Sequence, residues 1–450
     1  MNKQKKLLSV LAALVLVSAV TVVVVRREET KENIKNTPAT VLEWSDISAV
    51  SWTYEKNSYA FQKDEDTWVY PEDTAFPVDQ EKMEELLSQF EDLGAAFTIE
   101  DVEDYGQYGL EKPSCTITLT QGEETVRLEL GDYSKMDAQR YASLGDGNVY
   151  LLSHDPVEDF DVGLSDLIQQ DQVPELLNVE AITLSGDQTD QFLKTQGQSL
   201  CQEDEYFRES DGGPLDTDLT ENYLKTLENL SLTDYVTYKA TEEDLKDCYL
   251  DTPAQTVTVT YQPEEEEDTA TFTLHLGKAP DESEEEVGQA YARVGDSPIL
   301  YKISESLYQA LTACGYDDLR HQHLFTGDFS LAQELTVTLE GSTRVFTYEQ
   351  REDQEEAAWY LGEEEADLTA IQTALENLTA ETFTQEAPTG KEELSLTVTL
   401  DQEGENTLTL TFYRQDGTTM LAQANGKTLC TLPRSQVVTL TEAFNAILLG

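Results

Sequence analysis

The residues best suited to chemistry in this 450-residue chain are His321-Gln322-His323, five cysteines and several runs of carboxylates. Two imidazoles one residue apart on a strand could share a metal ion, with Asp317 or Asp318 supplying a carboxylate. Cys115, Cys201, Cys248, Cys314 and Cys430 form no CxxC pair and are odd in number, whereas an oxidising compartment favours even counts at paired spacings. Cys115 and Cys430 fall within strand patterns, where a thiol behaves as a small hydrophobe, and all five read as structural. The acidic runs Glu264–Asp268, Glu284–Glu286 and Glu363–Glu365 could hold divalent cations loosely. A calcium loop alternates its ligands around a glycine turn and closes with a bidentate Glu, and none of these runs does so. Nucleophile elbows, phosphate loops and zinc-protease signatures are absent. With 89 acidic side chains, any two carboxylates could be drawn as an acid and a base, so such pairs carry no information. No catalytic, cofactor-binding or metal-ligating residue is therefore assigned, and neither a cofactor nor enzymatic activity is expected.

The elements that position these residues come from a repeat. Leu227-Glu228-Asn229-Leu230 recurs at Leu375–Leu378, with a near copy at Phe90-Glu91-Asp92-Leu93. Each ends an amphipathic pattern that predicts a helix: Gln80 to Leu93, with Met83, Leu86, Leu87 and Phe90 on one stripe; Leu219 to Leu230; and Asp367 to Leu378. Asp79 and Asp216 are placed as N-caps. The aromatic residues Trp68, Tyr206-Phe207 and Trp359 precede the three helices in register. Strict alternation follows each helix: Cys115–Thr120, Gln255–Thr260 and Leu396–Leu400 predict half-buried strands with threonine on the wet face. Leu128–Gly131 and Leu274–Gly277 share a Leu-x-Leu-Gly ending, and short helices are expected near Leu164–Ile168, Leu307–Ala313 and Leu440–Leu448. In this register Asp318–His323 aligns with Asp166–Asp171, so the histidine pair falls at the polar end of a repeat, which argues against a metal site there.

Residues 7–25 are apolar or small and just long enough to cross a bilayer as a helix; Lys3, Lys5 and Lys6 precede them and Arg26-Arg27 follow. The alternative is a cleaved signal peptide, for which Val17-Ser18-Ala19 has the small-residue pattern. The expected partition is a membrane anchor over 1–27, a flexible linker over 28–45, and repeats over 46–178, 179–327 and 328–450. The expected fold is α+β: three tandem repeats, each a curved antiparallel sheet with helices packed on one face, after an N-terminal transmembrane helix. The expected location is the cell membrane, single-pass, with the bulk of the chain extracytoplasmic. A net charge of −60 excludes nucleic acid as a partner, because phosphate and carboxylate repel.

Several motifs carry a family resemblance: Trp68-Val69-Tyr70, Pro77-Val78-Asp79 leading into a Leu-rich helix, Tyr108-Gly109-Leu110-Glu111-Lys112-Pro113, and Leu128-Glu129-Leu130-Gly131. The second repeat keeps a worn copy, Tyr249-Leu250-Asp251-Thr252-Pro253, and the third lacks it. In these the chain resembles the membrane-anchored bacterial family of domains of unknown function DUF4340, most closely over about Trp52–Asp171. The family carries no assigned activity, so the resemblance transfers no site residues. Its association with ABC-type transporters implies a membrane-tethered, extracytoplasmic scaffold or accessory role. The alternative expectation is a cell-envelope protein that binds a glycan or a divalent cation.

Overall fold

The alternating segments form the centres of wide antiparallel sheets. In the computed structural model, which describes residues 39–186, 189–264, 268–281, 287–351, 355–401 and 406–449, strand Cys115–Gln121 buries Cys115, Ile117 and Leu119 and leaves its threonines partly solvated. Gln255–Tyr261 and Glu392–Thr399 divide their faces in the same way. The period of two puts every second side chain on the core face, so a one-residue slip would bury the hydroxyls and expose the apolar row.

The described residues form two compact units: one takes the chain up to Asp171 together with Tyr235–Ala240, the other takes Gln172–Asp234 and everything from Thr241. The first contains a nine-stranded sheet ordered Ala39–Leu42, Leu93–Ile99, Val149–Leu152, Gln139–Ser143, Glu124–Ser134, Cys115–Gln121, Ala49–Tyr54, Asn57–Asp64, Thr67–Val69. The second contains two sheets. One runs Tyr206–Arg208, Thr189–Lys194, Ala181–Ser185, Gln255–Tyr261, Ala270–Lys278, Ala290–Val294, Leu300–Ile303. The other runs Glu364–Glu365, Ala358–Leu361, Ser342–Glu349, Glu334–Leu339, Glu392–Thr399, Thr407–Arg414, Thr419–Ala424, Lys427–Pro433, Thr382–Phe383. Its core packs Leu335, Leu396 and Phe412 under Ile371 and Leu375 of helix Thr369–Glu376 and Leu440 and Phe444 of helix Arg434–Leu449.

Helices start where the capping residues place them. Asp79 accepts from the Lys82 amide (3.1 Å) and Asp216 from the Leu219 amide (3.2 Å), satisfying one orphan donor at each helix start. The first helix is shorter than its pattern predicts. It spans Gln80–Ser88, and Leu93 opens a strand that pairs with Ala39–Leu42 and Val149–Leu152. Gln80 also ties the helix to the strand before it, since its side chain accepts from the Trp68 amide (2.7 Å) and donates to the Trp68 carbonyl (3.0 Å).

The fold class needs correction. The architecture is mostly antiparallel sheet, not α+β behind a transmembrane helix, because the alternating segments and their hairpin partners outnumber short helices such as Gln80–Ser88 and Thr369–Glu376. Among the described residues no helix is long and apolar enough to cross a membrane, so they do not support the single-pass membrane location expected from the sequence. The segment 7–25 itself, with the linker up to residue 38, lies outside the described residues.

The family-like motif has a physical role. The turn Gly106–Tyr108 and the residues after it lie over Gly131, where a Cβ would sit 2.2 Å from the Tyr108 carbonyl oxygen. In the next repeat a Cβ on Gly277 would sit 2.4 Å from the Tyr249 carbonyl oxygen. Only glycine lets the loop backbone come this close.

Asp73 holds the segment Tyr235–Ala240 in the first compact unit. Its carboxylate accepts from Lys239 Nζ and the Tyr238 hydroxyl (2.7 Å), and Tyr238 packs edge-on against Phe76 at 5.2 Å. These hydrogen bonds, Lys239 first and Tyr238 next, hold Asp73 down from 3.8 to about 2. A depressed carboxylate stabilises the fold above its unfolded value and loses that contribution as pH falls through its folded value. Amide protection of 235–240, corrected for intrinsic exchange, is therefore expected to be complete above about pH 4 and to fall towards pH 2. Asp73→Asn should lower it at neutral pH; equal protection in both proteins at pH 7 would contradict this.

Candidate functional site

The histidine pair does not form a joint site. His323 turns its Nδ1 to the Glu376 carbonyl (2.9 Å) and bridges through its backbone to Thr379. Asp317 faces Arg320 (3.4 Å), and Asp318 accepts from the Gly315 amide (2.9 Å), so neither carboxylate serves His321.

His321 instead lies between two other carboxylates. Its Nε2 is 2.8 Å from Asp204 Oδ1 and its Nδ1 is 3.2 Å from Asp216 Oδ2. Asp204 comes from the loop before strand Tyr206–Arg208, and its side chain is only 1% exposed. Ser199 Oγ donates to its other oxygen at 2.5 Å and accepts from the Cys201 amide at 3.2 Å, so one hydroxyl sets both the carboxylate and the turn. Asp216 is fixed because it also caps helix Thr217–Glu228. Burial pushes the His321 imidazole down, but the hydrogen bond it donates to Asp204 and the fields of Asp204 and Asp216 outweigh it, and the net shift is upward. Cys201 Sγ, one Asp204 oxygen and one His321 nitrogen lie within 4.8 Å of one another.

The other cysteines are free and buried. Burial pushes the thiols of Cys115 and Cys430 up to about 12 and that of Cys314 to about 11, which leaves them unreactive at neutral pH. Cys201 is only half-buried and faces a cleft of about 550 Å³ together with Ser199 and Asp204. Glu265–Glu267 and Glu282–Glu286 lie outside the described residues, and Glu363–Glu365 are exposed on a hairpin.

Within the same compact unit, a larger cleft of about 960 Å³ opens between the second and third repeats. Arg208 forks onto Asp211 through two bonds of 2.9 and 2.7 Å, and its guanidinium carbon lies 3.6 Å from the centre of the Tyr316 ring. Arg320 shares that ring at 4.5 Å and lies 4.2 Å from the Phe383 ring. The ring quadrupoles hold both planar cations alongside their carboxylate partners, Asp211 for Arg208 and Asp317 for Arg320. Gly213 leaves room for this stack, because a Cβ there would meet the Tyr316 hydroxyl at 2.3 Å. The Arg208 fork keeps Asp211 below its ordinary range, helped by the field of Lys427, which is exposed on the cleft wall. No histidine, cysteine or serine is among the described lining residues.

Sequence reasoning assigned neither cluster. Asp204 is one carboxylate among 89 acidic residues and Cys201 one cysteine of five. The usable signal was a break in the repeat. Arg320 and His321 replace Ile168 and Gln169, and Ile168 is fully buried in the first repeat.

A family model described as a domain of unknown function, DUF4340, matches residues 68–242 and again 206–402. The two matches begin at Trp68 and Tyr206, the aromatic positions placed in register by the repeat. No curated protein and no solved structure matches the chain.

Proposed function

The chain belongs to the DUF4340 family, and from that premise we propose that it is a non-catalytic scaffold or accessory protein whose partner, a subunit of an ABC-type transporter, docks in the cleft between the second and third repeats. The observation that carries this reading is the arginine–tyrosine–arginine stack with Lys427 beside it. In a chain of net charge −60, it gathers three basic groups at one concave surface. Asp190, Asp211, Asp317 and Asp318 line the same cleft, with Arg208 and Arg320 paired to two of them, so the approach of a partner's carboxylates rests on exposed Lys427. Sheet edges are a poorer choice. The outermost strands Ala39–Leu42, Thr67–Val69, Tyr206–Arg208, Glu364–Glu365 and Thr382–Phe383 have two to four residues each. Such short edges offer too few free backbone groups to template another strand.

A photo-crosslinking side chain at position 427 is expected to capture the transporter subunit, and the same probe at exposed Lys56 is not. Lys427→Glu should lower recovery of that subunit by about tenfold, since a reversed charge at a docking surface costs affinity and association rate. Equal capture at both positions, or recovery unchanged by Lys427→Glu, would remove the cleft from the function.

A further inference from the structure

We propose that Cys201, Asp204 and His321 form a binding site for one transition-metal dication of the zinc type, with Asp216 as the residue that orients the imidazole. This site is independent of the docking cleft, shares no side chain with it, and stands or falls separately.

The donor set comes from two distant segments that the fold brings together. Cys201 and Asp204 sit three residues apart in one turn closed by Ser199, and His321 arrives from the segment after the short helix Tyr316–Leu319. Their three ligand atoms lie within 4.8 Å of one another. Tetrahedral zinc, with bonds of about 2.0 Å to nitrogen and about 2.3 Å to sulfur, places its ligand atoms about 3.5 Å apart. Closing the cluster therefore takes small side-chain rotations and no backbone rearrangement.

The surroundings fit a metal ligand better than a plain ion pair. A metal-bound histidine usually gives its second ring N–H to a carboxylate, which fixes the tautomer and raises the basicity of the ligating nitrogen. Asp216 Oδ2, 3.2 Å from Nδ1, is in that position, and the helix cap holds it there. Nε2 then faces Asp204, whose second oxygen is held by Ser199. The metal takes the place of the Nε2 proton and the thiol proton, so binding releases protons to solvent. A thiolate and an imidazole beside one carboxylate select zinc or cobalt over magnesium or calcium, which prefer all-oxygen sites. The cleft along Ser199, Cys201 and Asp204 provides the way in, and a water completes the fourth position.

The test uses the full chain stripped with chelator and kept in excess Mg²⁺, which occupies carboxylates on the acidic surface. Titration with Zn²⁺ is expected to show one equivalent bound, with a rise in thermal midpoint that grows with metal concentration. Co²⁺ should give tetrahedral d–d absorption and a thiolate-to-cobalt charge-transfer band. Cys201→Ser should abolish that band while leaving the metal-free midpoint at the wild-type value. His321→Gln should weaken Zn²⁺ at least about tenfold, and Asp216→Asn, which keeps a good N-cap, about 10–100-fold with the band retained. No saturable binding in excess Mg²⁺, or equal binding in wild type, Cys201→Ser and His321→Gln, would overturn the site and leave only loose association with surface carboxylates.

Discussion

Gly131→Ala is expected to destabilise the first compact unit by about 3 kcal/mol, the upper range for forcing an extra carbon into a closed contact. Gly277→Ala should do the same in the second. At Gly131 the new Cβ would lie 2.2 Å from the Tyr108 carbonyl oxygen and 3.0 Å from Leu110 Cγ; at Gly277 it would lie 2.4 Å from the Tyr249 oxygen and 2.7 Å from the Cys248 oxygen. The obstacles are main-chain atoms, so no rotamer change relieves them and the overlying loop must lift. The end of that loop is tied to the strand beneath it, because Ser114 donates its amide to the Leu130 carbonyl (2.8 Å) and its Oγ to the Gly131 carbonyl (3.2 Å). Neither glycine has a positive φ, so the cost comes from the close approach and not from backbone preference. Gly417, which has open space around it, is the control, and Gly417→Ala should stay within about 0.5 kcal/mol. Urea unfolding of the three variants measures this. If Gly131→Ala were as mild as Gly417→Ala, the Tyr-Gly-Leu and Leu-x-Leu-Gly motifs would not be two halves of one contact.

That contact shows what could be read from the chain. The two motifs are visible in sequence, but their meeting is not, since Tyr108 and Gly131 belong to no common periodic pattern. Period-two alternation located the central strands, because burial of every second residue is a local consequence of the pleat. Asp79 and Asp216 marked helix starts for an equally local reason. The width of the sheets was hidden. Leu93 continues the apolar stripe of the first helix, yet it serves a strand whose partner, Ala39–Leu42, lies far upstream. Tyr235–Ala240 likewise joins the first compact unit through Asp73, a long-range pairing without periodicity. The helical run at 7–25 was inferred from hydropathy alone and lies outside the described residues. The site around His321 was in part legible: its departure from the repeat could be seen, whereas Asp204, 117 positions away, could not be chosen from so many carboxylates.

Phe160→Ala should be the most damaging single truncation in the first compact unit, costing about 3–5 kcal/mol. Phe160 is 0% exposed, meets the Trp52 ring edge-on at 5.2 Å and lies 5.8 Å from the Phe90 ring. Trp52 in turn stacks on Phe61 at 5.6 Å, so this ring cluster joins the strand Ala49–Tyr54, its hairpin partner and Phe90 of the first helical stripe. Its own helix, Val157–Phe160, is a single turn of four residues and cannot persist without tertiary contacts. Truncation therefore leaves a cavity among rigid rings and also releases the segment that carries it. Rings cannot fold inward to fill the space as Met or Leu might, which places the cost at the high end of the range. Three of the four tryptophans, Trp44, Trp52 and Trp68, are in this unit, so fluorescence during urea unfolding follows it directly. Phe160→Leu, which keeps most of the volume, should cost less than about 1.5 kcal/mol. Equal losses for the two variants would mean that the cluster tolerates the cavity and that the unit draws its stability from the strand ladder instead.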